Sequence, residues 1–76
     1  MSNTRVVTVK ADNLRIGDYI LQVNHSLTTP KGEINTMIQV YYNNALETRV
    51  WDVYDANGGH HYLYGDDNVK VERKVV

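Results

Sequence analysis

Apolar residues recur every second position through much of the chain, and this pattern constrains the fold more than any other feature. It is clearest over residues 33–42, EINTMIQVYY. One set comprises Ile34, Thr36, Ile38, Val40 and Tyr42, and it alternates with Glu33, Asn35, Met37, Gln39 and Tyr41. Side chains of a strand alternate between its two faces, whereas a helix repeats every 3.6 residues. The segment therefore predicts a β-strand with each set on one face.

Five further segments show strand character and are separated by turn signals. We predict strands over residues 5–10, 19–23, 46–55, 60–64 and 68–75. Asn43-Asn44 predicts a two-residue hairpin connection, and Asn57-Gly58-Gly59 predicts a tight turn. Residues 24–32 contain the only proline, Pro30, and predict the longest loop. The alternation changes phase at Val50-Trp51, which predicts a β-bulge or a bend there.

These segments predict an all-β fold with no substantial helix. Two architectures fit: a small SH3-like barrel, or a rolled antiparallel sheet of five to six short strands. An open sheet that pairs with a second copy gives the same pattern. With 76 residues, the chain predicts one β domain over residues 1–76, with residues 1–4 flexible.

Composition narrows the classes of function. The chain has no cysteine, so disulfides and thiolate zinc sites are excluded. The polar first five residues lack a following apolar segment, which predicts no secretory signal and a cytoplasmic location. No apolar run approaches the about 20 residues of a membrane-spanning helix, so no membrane association is expected. A net charge of −1 argues against non-specific duplex binding.

One short segment carries a family resemblance. Residues 11–23, ADNLRIGDYILQV, contain the pattern L-x-x-G-D-x-[IV], matched by Leu14, Gly17, Asp18 and Ile20. The pattern resembles an element of small SH3-like and Hint-like β-barrels, including bacterial and phage proteins. The resemblance implies that the leucine plugs one end of the barrel and that the Gly-Asp turn begins a strand. It does not extend to protein splicing, because the nucleophile and the Thr-x-x-His block are missing.

No pattern of residues predicts catalysis. His60 and His61, with His25 and nearby aspartates, form the one candidate metal or acid–base cluster, but strand neighbours point to opposite faces. We therefore expect both histidines to face solvent or lie on an edge strand. Asp52 and Asp55 either form a carboxylate pair or line a solvated face. We predict no enzymatic activity, no metal and no cofactor.

Aromatic residues are the most informative feature for function. Tyr41, Tyr42, Trp51, Tyr54, Tyr62 and Tyr64 lie on three segments predicted to be neighbouring strands. They either fill a core that lacks phenylalanine or form an outward binding patch. For such a patch we predict Tyr41, Trp51, Tyr54, Tyr62 and Tyr64, with Arg49, Lys70 and Arg73 as basic contacts.

The sequence therefore predicts a non-enzymatic binding module that acts through protein–protein contacts. The partner is a second copy of the chain, giving a homo-oligomer, or a host or partner protein, in the style of small phage-encoded proteins. The alternative is a nucleic-acid-binding barrel, in which bases stack on tyrosine or tryptophan and the basic residues contact phosphates.

Overall fold

The segments of two-residue alternation form strands in the computed structural model, which describes residues 3–75. The six strands are β1 (Thr4–Lys10), β2 (Tyr19–Val23), β3 (Gly32–Asn43), β4 (Thr48–Asp55), β5 (His60–Tyr64) and β6 (Asn68–Lys74). They form one antiparallel sheet in the order β1-β6-β2-β3-β4-β5. The all-β prediction is confirmed. Because β1 and β5 are both edges, the sheet is not closed into a barrel and adopts the rolled, open alternative.

The sheet consists of two three-stranded halves that share a short junction. β1, β6 and β2 form one half, and β3, β4 and β5 form the other. β2 and β3 pair only at Tyr19 with Glu33 and at Ile20 with Gly32. The sheet rolls there, and apolar residues of both halves form one core: Ala11, Leu14, Ile20, Ile34, Val53, Leu63, Val69 and Val71. This burial is what holds the two halves together.

The L-x-x-G-D segment adopts the local structure that its residues favour. Ala11–Asn13 form a single 3₁₀ turn, and Leu14 follows it into the core. Gly17 has a φ of 96°, a conformation that glycine adopts without steric cost. The buried Asp18 carboxylate accepts a hydrogen bond from the Arg15 amide at 3.0 Å. The turn thereby directs the chain into β2, as the sequence predicts.

Two bulges in β3 change the predicted faces of that strand. The register with β4 shifts between Ile34 and Thr36, and again between Gln39 and Tyr41. Each bulge inserts one residue, so the side chains beyond it exchange faces. Ile34 is therefore buried in the core, whereas Ile38 lies on the opposite face and is half exposed. The prediction of one continuous face was wrong. The irregularity predicted at Val50-Trp51 coincides with the second register shift, but the extra residue lies opposite, in β3, and the pairing of β4 with β5 is regular.

The β3–β4 connection is longer than its two asparagines predict. Asn43 pairs with Thr48 as the last residues of the hairpin, and residues 44–47 form the turn. The Asn43 Oδ1 atom accepts a hydrogen bond from the Leu46 amide at 3.0 Å, and Glu47 has a φ of 52°. This side-chain bond stabilises a four-residue turn. Leu46 is consequently exposed in the turn and lies outside β4, contrary to prediction.

The chain ends also differ slightly from the predicted bounds. Thr4, which we expected in a flexible end, begins β1 and pairs with Lys74. The predicted flexible end also included residues 1 and 2, which lie outside the described residues. The Asn3 carbonyl accepts a hydrogen bond from the Val75 amide at 2.8 Å. Val75 follows β6 and is half exposed, whereas Val69 and Val71 are buried.

Candidate interaction surface

The outer face of the β3–β4–β5 half, opposite the core, carries most of the aromatic residues. Paired residues of antiparallel strands project from the same face. The pairs include Val50 with Tyr41 and Tyr64, and Asp52 with Tyr62. We call this surface the aromatic face. Its members are Thr36, Ile38, Tyr41, Asn43, Thr48, Val50, Asp52, Tyr54, His60, Tyr62 and Tyr64.

Apolar area on the aromatic face is concentrated around one buried valine. Val50 is 0% exposed, yet it does not belong to the main core. Its cross-strand neighbours Tyr41 and Tyr64 flank it on both sides. The rings therefore shield Val50 while keeping much of their own surface in solvent, since Tyr41 is 45% exposed. Four other side chains of this face are also exposed: Ile38, Tyr54, Tyr62 and Tyr64.

Asp52 orders one side of the aromatic face. Its carboxylate accepts a hydrogen bond from the Tyr54 hydroxyl at 2.9 Å and also contacts the Nε2 atom of His60. The rings of Tyr54 and His60 stack with centroids 4.9 Å apart and an interplanar angle of 8°. The hydrogen bond to Asp52 and the negative charge of that carboxylate raise the pKa of Tyr54. This cluster holds two rings in fixed orientation.

Tyr41 and Tyr62 form a second ordered pair on the same face. A hydrogen bond with Tyr41 is the main cause that raises the pKa of Tyr62 to about 12, and partial desolvation adds to it. Tyr41 lies on β3 and Tyr62 lies on β5, so this influence acts across β4. The sheet itself holds both rings on one face, which lowers the entropy lost when a partner binds.

Trp51, which we predicted in the patch, does not belong to the aromatic face. It pairs with Gln39 and Leu63, which places it on the core side of β4, and it packs against the core half-buried. Its indole Nε1 atom donates a hydrogen bond to the Asp12 Oδ1 atom at 2.7 Å. The sequence contains the signal for this position, because Trp51 lies two residues from the buried Val53.

The three predicted basic contacts lie apart from one another and from the aromatic face. Arg73 donates to both carboxylate oxygens of Asp18, at 3.0 and 2.8 Å, and is held within the fold. This hydrogen bonding raises the pKa of Arg73. Arg49 lies on the core side of β4, 3.6 Å from a carboxylate oxygen of Asp12. Lys70 belongs to the other half of the sheet, where it pairs with residues of β1 and β2.

The two adjacent histidines have different environments. His60 is exposed on the edge strand as predicted, but His61 is buried, and its Nε2 atom lies 3.1 Å from the Asp55 Oδ2 atom. Alternation on the strand explains this split. It also separates Asp52 from Asp55, so the two aspartates do not form a carboxylate pair. Among residues 3–75, no group of three or more His, Asp or Glu side chains is arranged to hold a metal ion.

Asp55 anchors the turn between β4 and β5. Its Oδ1 atom accepts hydrogen bonds from the Asn57 and Gly59 amides at 2.9 and 2.7 Å. Burial raises the pKa of Asp55, but the bonds from Gly59, His61 and Asn57 outweigh burial and leave the pKa below its usual value. A carboxylate that receives several hydrogen bonds is stabilised in its charged form.

The surface includes two apolar contributors that sequence reasoning missed. Ile38 was predicted to share a face of β3 with Ile34, and Val50 was not among the predicted members of the patch. The bulges in β3 place Ile38 outside, and no single residue of the sequence marks their positions. His60 was expected to be exposed, but its contact with Asp52 depends on cross-strand register.

The chain matches no protein-family model, and comparison with curated proteins and with solved structures finds no significant similarity. In the part of the chain that the structure describes, there is no helix with the length and apolar character needed to cross a membrane.

Proposed function

We propose that this protein is a non-enzymatic binding module whose aromatic face contacts another protein, either a second copy of the chain or a different partner. The observation that carries the proposal is the grouping of Ile38, Tyr41, Tyr54, Tyr62 and Tyr64 on one rigid sheet face. Tyrosine offers a large contact area with few rotatable bonds and is enriched at binding hot spots.

The size of the aromatic face supports this function. A tyrosine has on the order of 200 Å² of surface, so the four half-exposed tyrosines and Ile38 present roughly 400–500 Å². The largest apolar patch of a typical monomer covers roughly 300–600 Å² and is often functional. A standard interface buries about 800 Å² per partner, so the aromatic face supplies its centre and neighbouring polar residues supply the rim.

The charge of the aromatic face favours a protein over a nucleic acid. Its members include no lysine or arginine and one carboxylate, that of Asp52. Single-strand binders combine stacking rings with a cationic groove along the phosphates. Here Arg49 lies on the opposite side of β4 and Arg73 is paired with Asp18. The phosphates of bases stacked on this face would therefore have no lysine or arginine of the face beside them.

Matched tyrosine substitutions test the proposal. Tyr41 and Tyr42 are neighbours with similar exposure, 45% and 49%, but only Tyr41 belongs to the aromatic face. Partner capture and sedimentation of the free chain are compared for Tyr41→Ala, Tyr62→Ala and the control Tyr42→Ala. We expect the first two variants to weaken capture or self-association by at least about tenfold, the effect of losing one hot-spot side chain. Equal losses for Tyr41→Ala and Tyr42→Ala would contradict the proposal.

A titration with a single-stranded oligonucleotide separates the alternative class. A binder that neutralises phosphates loses affinity steeply as salt rises. We expect no binding at low salt. Salt-dependent binding that Tyr41→Ala abolishes would instead assign the aromatic face to nucleic acid.

A further inference from the structure

The free edge of β5 carries main-chain groups that are available for strand pairing. The Asp55 amide donates to the Gly59 carbonyl, and the Gly65 amide donates to the Arg49 carbonyl. Hydrogen-bonded and non-hydrogen-bonded residue pairs alternate along an antiparallel ladder, and these two bonds show which pairs are hydrogen-bonded. The main-chain groups of His61 and Leu63 therefore point toward β4. The N–H and C=O groups of His60, Tyr62 and Tyr64 point away from the sheet.

Part of this edge is already occupied by the chain itself. The Tyr64 amide donates to the Asp67 Oδ2 atom at 2.9 Å, and the Asp67 amide donates to the Tyr64 carbonyl at 3.0 Å. Among residues 3–75, no turn or side-chain hydrogen bond engages the main chain of Tyr62 or His60. Tyr62 is thus the centre of a short open segment of edge.

A cleft runs beside this open segment. It has a volume of about 410 Å³ and lies between β5 and the loop after β2. Its apolar lining comes from Val23, Pro30 and Leu63, and its hydroxyl groups come from Ser26, Thr28 and Thr29. The cleft is on the core side of β5, while the aromatic face is on the other side. A strand added to β5 would therefore place alternate side chains in the cleft and against the aromatic face.

From this juxtaposition we infer that the edge of β5 captures an extended peptide segment of a partner, which pairs with the main chain of Tyr62 and His60. The inference rests on the proposed function and names the form of its partner. Unpaired strand edges recognise extended main chain, and flanking pockets select alternate side chains. A strand donates and accepts at the spacing that β5 presents, whereas a helix has no free groups to offer.

Charge and shape define the side chains of the segment. Residues that enter the cleft are uncharged, because the cleft lining combines apolar groups with hydroxyls, the Asn24 amide and His61, which already contacts Asp55. Residues above the aromatic face are basic or apolar, because Asp52 lies beside Tyr62 and no lysine or arginine belongs to that face. An acidic residue there would lie near a like charge.

The test uses capped synthetic peptides as probes. One peptide alternates lysine with valine, a second alternates glutamate with valine, and a third is the lysine–valine peptide with a methyl group on the main-chain nitrogen of each lysine. In antiparallel pairing the lysines are the residues whose N–H groups face β5, so the methyl groups remove those donors without changing the charge. We expect the lysine–valine peptide to bind, the glutamate–valine peptide to bind about tenfold more weakly, and the N-methylated peptide not to bind. Hydrogen exchange followed by NMR supplies the structural readout. The Tyr62 and His60 amides become protected in the complex, while they exchange rapidly in the free chain.

A matched pair of variants isolates the main-chain contribution. Tyr62→Ala and Tyr62→Pro both remove the phenol, but only proline removes the outward N–H, and proline is tolerated at an edge where that N–H faces solvent. We expect Tyr62→Ala to weaken peptide binding and Tyr62→Pro to abolish it. If Tyr62→Pro does not fold, amide protection in the wild-type complex decides the question alone.

The outcomes distinguish this inference from the proposed function. Peptide binding that protects neither amide, or equal affinities for Tyr62→Ala and Tyr62→Pro, overturns edge pairing. So does failure of the lysine–valine peptide to bind. In each case the proposed function stands if Tyr41→Ala still impairs partner capture relative to Tyr42→Ala. Protection of the Tyr62 amide in the free chain, appearing as concentration rises, would assign the edge to a second copy and overturn the peptide inference.

Discussion

The hydroxyl pair of Tyr41 and Tyr62 is the most specific feature of the aromatic face at the scale of single residues. Tyr41 is the main cause that raises the pKa of Tyr62, although the two residues lie on strands that are not neighbours. Tyr41→Phe keeps the ring and removes the hydroxyl, so we expect the pKa of Tyr62 to fall from about 12 toward 10. Absorbance of phenolate, with NMR of the Tyr62 ring, measures the change.

The same pair predicts how stability depends on alkaline pH. Tyr62 has a higher pKa in the folded state than in the unfolded state, so the folded state binds the proton more tightly. Its contribution to stability is present below pH 10 and is lost as pH rises toward about 12. Tyr41→Phe should flatten this loss in denaturant titrations, whereas the control Tyr42→Phe should leave it unchanged. An unchanged slope in Tyr41→Phe would contradict the pair.

Burial of Val50 beneath the aromatic face contributes to the stability of the fold. Since it is fully buried beneath the aromatic face, Val50→Ala should lower the free energy of unfolding by about 2 kcal/mol. Val6→Ala, at a valine that is 54% exposed, is the control and should change it by less than about 0.5 kcal/mol. Denaturant unfolding measures both. Similar effects would mean that the tyrosine rings do not cover Val50.

The β4–β5 hairpin is the element on which the candidate site depends. Asp55 fixes its turn through two amides and through His61. Asp55→Ala leaves the two amides and the buried His61 without their acceptor and should cost about 3 kcal/mol. Asp66→Ala, at an exposed aspartate in the next turn, is the control and should cost little. Thermal or denaturant unfolding decides, and a loss below about 1 kcal/mol would contradict this anchoring.

The pKa of Asp55 gives that element a signature in acid. The pKa of Asp55 is lower in the folded state than in the unfolded state. Asp55 therefore stabilises the fold at pH values above its unfolded-state pKa, and this contribution is lost as the pH falls through its folded-state pKa. Asp55→Asn cannot ionise and should show a shallower loss of stability in acid than the wild-type chain. If the free energy of unfolding falls equally in acid for both proteins, Asp55 does not contribute as a buried charged carboxylate.

Element boundaries show what the sequence determines locally. β2 and β5 were predicted to the residue, because each is a short apolar segment between strong turn signals. The long β3 was placed correctly, but its faces were not. A bulge depends on which residue of the partner strand lies opposite, and alternation within one strand does not contain that information. Asn43 likewise predicted a turn at the correct place, but the hydrogen bond from the Leu46 amide to its side chain stabilises a longer turn.

At the scale of the whole molecule, the sequence predicted the all-β class but not the open sheet. Alternation and turns define strands, while closure depends on whether β1 meets β5 in space. The same limit applies to the surface. Tyr41, Tyr54, Tyr62 and Tyr64 were identified from residue type and strand phase, and cross-strand register then placed them together. The sequence did not indicate that Arg49 and Arg73 lie away from this face, because their partners, Asp12 and Asp18, are distant in sequence.

A protein partner on the aromatic face would cover its tyrosine rings, and dye-induced nuclear polarisation detects which tyrosine rings are accessible. In the free, dilute chain we expect polarisation of the four tyrosines of the aromatic face and of Tyr19 and Tyr42, which lie on other surfaces. On binding of a captured partner, or on self-association, the four should lose their signals while Tyr19 and Tyr42 keep theirs. Loss confined to Tyr19 and Tyr42, with the aromatic face still polarised, would contradict the account.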